Sequence, residues 1–93
     1  MSQWERVENV PFNDPKEGYL KTLTILPGLG MEIWKTREIA NLILARKNMG
    51  DHSIQCNIMF NFNNTVSISM DSEVDDERTL DELASKILAA ISG

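Results

Sequence analysis

The chain has 93 residues, of which 42% are hydrophobic and 25% charged, with a net charge of −5 and a single cysteine. That is one domain's length with an ordinary globular composition, which excludes disorder; no apolar run approaches the ~20 residues a membrane-crossing helix needs. One cysteine excludes an intramolecular disulfide and a cysteine-based metal site.

The negative charge is uneven: residues 53–93 hold seven acids and two bases, and the rest of the chain is balanced. An acidic chain repels phosphate backbones at long range, which counts against nucleic acid as a partner. The N-terminus, Met-Ser-Gln-Trp-Glu-Arg, lacks a basic segment followed by an apolar one. With a lone Cys56 between Ile54 and Ile58, this points to a cytoplasmic protein whose thiol is a buried hydrophobe.

In chain order, Trp4 to Val10 reads as a short strand ended by Pro11. Asn13-Asp14-Pro15 with Gly18 reads as a turn, because Asn and Asp bond nearby backbone and proline fixes φ. Tyr19 to Leu26 is rich in β-formers, stops at Pro27-Gly28, and is expected to be a strand. Met31 to Asn48 contains no Gly or Pro, is rich in helix formers and precedes Gly50; the expectation is a helix with a core stripe of Ile33, Thr36, Ala40, Ile43 and Leu44.

From Ser53 to Met70 the side chains alternate: Ile54, Cys56, Ile58, Phe60, Phe62, Val66, Ile68 and Met70 at even positions, polar residues at most odd ones. This is the pattern of a hairpin buried on one face. A two-residue Asn63-Asn64 turn would pair Phe62 with Thr65 and set one strand's apolar side against the other's polar side. An odd loop, Phe62-Asn63-Asn64, with Phe60 opposite Val66 and Asn64 left-handed, avoids this; a bulge beside a two-residue turn is the alternative. Thr79-Leu80-Asp81-Glu82 matches a capping box, and Leu80, Leu83, Ala84, Ile87 and Ile91 form one helical stripe.

The expected fold is a single α+β domain over residues 1–93, a two-layer sandwich in the order (β)βαββα. Two helices would cover one face of a three- or four-stranded mixed sheet, with residues 1–18 an irregular or edge-strand segment.

Among candidate sites, the loop Pro27-Gly28-Leu29-Gly30 between an expected strand and helix is a weak anion-binding candidate through Gly28 and Gly30. It lacks the phosphate-loop pattern. His52 beside Asp51 has no second histidine to complete a metal site, and neighbours on a strand point to opposite faces. The run Asp71 to Glu77 lacks the central glycine of a calcium loop and reads as a solvated acidic linker, or a dock for a basic partner. No catalytic residue, metal ligand or cofactor motif is expected.

Two surfaces remain. A second apolar line on the expected helix, Met31, Trp34, Leu42 and Ala45, is either covered by the N-terminal segment or a partner surface. The odd hairpin face, including Gln55, Asn57, Met59, Thr65 and Ser67, is polar but uncharged, and the strand from Thr65 has no charged guard against edge pairing. These features suggest a non-enzymatic protein-binding protein: an adaptor, an inhibitor or a self-associating subunit, of the size of a phage or bacterial accessory protein. Its partner would be another protein or itself. The alternative is a single-stranded nucleic-acid binder using the sheet face and Lys35, Arg37, Arg46 and Lys47.

Overall fold

A computed structural model describes residues 2–92. The chain runs β1 (Ser2–Asn9), α1 (Pro15–Ile25), β2 (Met31–Arg37), β3 (Leu42–Asn48), β4 (Ser53–Phe60), β5 (Thr65–Ser72) and α2 (Glu77–Ser92). The five strands form one sheet in the order β1-β5-β4-β3-β2, with every neighbouring pair antiparallel. The expected (β)βαββα order, with its three- or four-stranded mixed sheet under two helices, is therefore wrong. Two of its elements take the opposite state.

The first is the segment expected to be a strand from Tyr19, which is α1. Asp14 is its N-cap, accepting from the Lys16 N–H at 2.9 Å, and Pro15 opens the first turn. Aspartate before proline is a helix start as well as a turn signal, because proline's missing N–H is one the first turn leaves unbonded anyway. The buried residues Pro15, Gly18, Tyr19 and Thr22 recur at helical spacing. Two of them are not apolar, so the stripe is faint; the Thr22 hydroxyl is satisfied by the Gly18 carbonyl at 2.7 Å.

The second is the expected helix from Met31, which is the β2–β3 hairpin. Its turn, residues 38–41, contains neither Gly nor Pro; Asn41 takes the left-handed conformation at φ 50°. Apolar residues on both faces of β3 and a bulge between Ile33 and Lys35 hide the two-residue period.

The hairpin from Ser53 to Met70 follows the register argument. Phe60 pairs with Val66, Asn61 N–H donates to the Thr65 carbonyl at 2.9 Å, and Asn64 is left-handed at φ 61°. Phe62 departs from the buried set: it sits in the loop and is 85% exposed. β5 is also no edge strand, since β1 pairs along its full length. The free edges belong to β1 and β2.

The even-numbered residues of β4 and β5 join Ile43 and Ala45 of β3, Leu26, and Leu80, Ala84, Ile87 and Ile91 of α2 in one core. Against β4, α1 lies so close that a Cβ on Gly18 would fall 2.4 Å from the buried Phe60 ring. That ring is fixed edge-on against Phe12, centroids 6.1 Å apart.

α2 begins two residues before the expected cap. Asp76 accepts the Thr79 N–H at 3.2 Å and the Thr79 hydroxyl, while Glu82 pairs with Arg78 instead of reaching back. The bond from the Thr79 hydroxyl, then that from its N–H, holds the Asp76 carboxyl below the usual carboxylate range.

Two outcomes follow. Gly18→Ala gains about 1 kcal/mol of helix propensity but overpacks Phe60 at a cost of about 1–3 kcal/mol, so urea denaturation should register a net loss that Phe60→Leu relieves. Asp76→Ala should lower the thermal midpoint by a few degrees at pH 7. A depressed carboxyl pKa stabilises above its unfolded value and loses that effect as pH falls through the folded one, so the gap to wild type should close in acid.

Candidate functional site: the open sheet face

One face of the sheet is packed against the core, and among the described residues the other is covered by no helix or strand. Directly opposed residues share a face, so register gives the composition of the open one row by row. The first row runs Val7, Ser67, Met59, Leu42 and Arg37 from β1 to β2. The second runs Glu5, Ser69, Asn57, Leu44 and Lys35, and the third Gln3, Asp71, Gln55, Arg46 and Glu32.

Apolar and uncharged polar groups fill the middle of this face. Leu42 and Met59 oppose each other, with Leu44 next along β3. Trp34 is the extra residue of the bulge, so it and Lys35 both stand against Leu44; Trp34 is 47% exposed and Met59 36%. A depression of about 230 Å³ lies between β3 and β1, lined by Leu42, Met59, Asn57 and Ser67 with Glu5 at its border. The polar groups bond one another: Asn61 Nδ2 donates to Thr65 Oγ1 at 3.1 Å and to Ser67 Oγ at 3.0 Å. Charge is kept to the flanks, on Glu5 and Asp71 towards β1 and on Lys35, Arg37 and Arg46 towards β2. Glu32, which bonds Arg46 at 3.3 Å, is the one acid on the second flank.

The structure thus brings Trp34, Leu42, Gln55, Asn57, Met59, Thr65 and Ser67 onto one surface, although Trp34 and Leu42 arrive there on strands and not on a helix. Met31 does not join them: it is core, 3% exposed. Ala45, of the same expected line, is also buried. Leu44 and Val7 belong to the face and were missed, Leu44 because a helical wheel put it in the core. Ile39 and Phe62, 95% and 85% exposed, occupy turns at the sheet end beyond the Leu42–Met59 row. Their turns are linked by the Phe60 N–H bonding the Asn41 carbonyl at 3.1 Å.

The other candidates stay apart from this surface. Gly28 lies within a 3-10 turn and Gly30 ends it at φ 77°, but that turn leads into β2. The glycines therefore precede a strand and not the helix that the anion reading assumed. His52 and Asp51 do meet, Nδ1 to Oδ1 at 2.7 Å, because both precede β4 in a bend where strand alternation does not apply. The His52 hydrogen bond lowers the Asp51 carboxyl pKa. Asp71 and Ser72 of the acidic run close β5, and Glu77 opens α2. A second concavity of about 380 Å³ opens beside α2, floored by Leu29, Met49, Ile54 and Leu83 and flanked by Lys47 and Lys86. The Lys47 ammonium is already engaged there with the Leu29 carbonyl at 2.7 Å.

Cys56 is fully buried, and desolvation pushes its thiol up to about 12. It should resist maleimide at pH 7.5 until the chain unfolds; modification of the native chain at the rate of a free thiol would contradict this burial.

No family model matches the chain, and no curated protein does so. Among solved structures, major latex-like protein 151 from Panax ginseng is similar, with a TM-score of 0.60 at 11% identity. The match covers 97% of this chain and 91% of that one. At that identity the likeness shows the fold alone; it agrees with the all-antiparallel five-stranded sheet described above and not with the expected mixed-sheet sandwich. Among the described residues no helix is long and apolar enough to cross a membrane.

Proposed function

We propose that the chain is a non-enzymatic protein-binding module that engages its partner through the open sheet face. The observation that carries this reading is the placement of charge. An uncharged centre of Leu42, Leu44, Asn57, Met59 and Ser67, with Trp34 beside it, is bordered by Glu5, Lys35, Arg37, Arg46 and Asp71. Protein interfaces have this composition: charge is depleted at the core, Trp and Met are favoured, and the rim is polar. A merely solvated sheet face has no need to keep Lys and Glu out of its middle. Because Asn61, Thr65 and Ser67 already bond one another, covering them leaves few polar groups unsatisfied.

Pairing by strand addition at β5 has no support, since both of its edges are occupied. A second reading, single-stranded nucleic acid on the same face, is favoured by Trp34 lying among Lys35, Arg37 and Arg46. It is opposed by Glu5, Glu32 and Asp71 on that face and by the net charge of −5.

Capture from a lysate of the producing cell with wild type and with Met59→Lys tests the proposal. At least one protein should be held by wild type and lost by the variant, with circular dichroism unchanged and nuclease treatment without effect. Identical retention by the two chains would refute the role of the face. Loss on nuclease treatment would transfer it to nucleic acid.

A further inference from the structure

The two flanks of the open face carry opposite net signs, Glu32 beside Arg46 being the one acid on the basic flank, and register fixes which charge stands on which row. Glu5 and Lys35 occupy the two ends of one row; Asp71 and Arg46 stand on either side of Gln55 in the next. β4 is the third of the five strands and forms the middle column of every row.

We propose that the partner of this face is a second copy of the chain. The two copies stack face to face about a two-fold axis along β4, so that Lys35 meets Glu5 of the second copy and Arg46 meets its Asp71. This rests on the reading of the open face as a protein-binding surface. A two-fold rotation about that axis exchanges β1 with β2 and β5 with β3 while returning each row to itself. It therefore lays the acids of one flank over the bases of the other and forms each pair twice. Leu44 comes over Ser69, Leu42 over Ser67, and Met59 and Asn57 meet their own counterparts at the centre.

The charges also select the axis. A two-fold running across the strands through the middle row would lay Glu5 on Glu5 and Lys35 on Lys35. The axis along β4 avoids these like-charge contacts and, as any two-fold along or across the strands does, keeps the strands of the two sheets nearly aligned, offset by about 30° from their twist. The long Lys35 and Arg46 side chains span that offset.

Size sets the strength. Five strands about 4.8 Å apart and about 23 Å long present a face on the order of 550 Å² per copy. The total of just over ~1,000 Å² lies at the lower limit for a specific interface, so association in the micromolar range is expected.

The test uses the separation of Glu5 from Lys35 within one chain. Four inter-strand spacings put them roughly 19 Å apart, more than twice the Debye length of about 8 Å at physiological salt. A charge exchange between them can therefore act only between chains. Sedimentation equilibrium from micromolar to about millimolar concentration should reveal a wild-type dimer. Glu5→Lys and Lys35→Glu should each weaken it by about tenfold. The double variant should recover to within about threefold of wild type. Met59→Cys, on the axis, should give a covalent dimer with a short bismaleimide, Cys56 being too buried to compete.

A monomer throughout the range would overturn the inference. If Met59→Lys still abolished capture of a different protein, the reading of the face would stand without it. A dimer lost on Met59→Lys but indifferent to both charge reversals would overturn the proposed axis and keep the face.

Discussion

The pleat of β4 and β5 governs the rest of the molecule. Ile54, Cys56, Ile58, Phe60, Val66, Ile68 and Met70 are all 2% exposed or less, and all lie on one side of two adjacent central strands. A slip of one residue in either strand would bring Ser67, Asn57 or Gln55 into the core and turn its apolar set outwards. The three-residue loop with left-handed Asn64 is the local device that holds this register. The Val10 N–H bonds the Asn64 carbonyl at 2.9 Å, tying the end of β1 to the same loop. Everything else is added to that hairpin: β1 to β5, β3 and β2 to β4, and the helices to the apolar side so defined.

Packing on the buried side is tight enough to dictate composition. Gly18 lets α1 approach β4 until only a hydrogen fits above the Phe60 ring, and Thr22 can face the core because its hydroxyl returns to the helix backbone. Where α2 borders β1, the core gives way to Arg6, which pairs with Glu8 and lies 3.5 Å from Asp81. Glu8 and Arg6 close the rim of the buried side with charge, while across the sheet from them Val7 remains 58% exposed.

What could be read from the sequence was what local chemistry alone decides. The hairpin register, Asn64 and the apolar stripe of α2 depend on neighbours within a few residues and are explicit in the residue order. The β2–β3 hairpin was not legible, because Trp34 in a bulge shifts the phase and Leu42 and Leu44 make the outward side of β3 as apolar as the inward one. α1 was obscured by Gly and Thr in its buried stripe, although Asp14-Pro15 announced its start. The hairpin's share of the open face could be identified by parity. Its other half, with Leu44, could not, since which face a strand presents depends on the strand it pairs with.

The edges explain why association through a face is the safer use of this sheet. β1 exposes Glu5, Arg6 and Glu8 along its free edge, and β2 exposes Glu32, Lys35 and Arg37 together with a bulge that disturbs its ladder. Charge and irregularity of this kind block strand-to-strand growth. Edge pairing would leave a further edge open after every addition and could propagate, whereas stacking about a two-fold axis consumes both faces at once and closes as a pair. Leucine, methionine and tryptophan on the face with charge on the edges is therefore the arrangement that permits a partner while preventing a fibre. The opposite placement would have the opposite result.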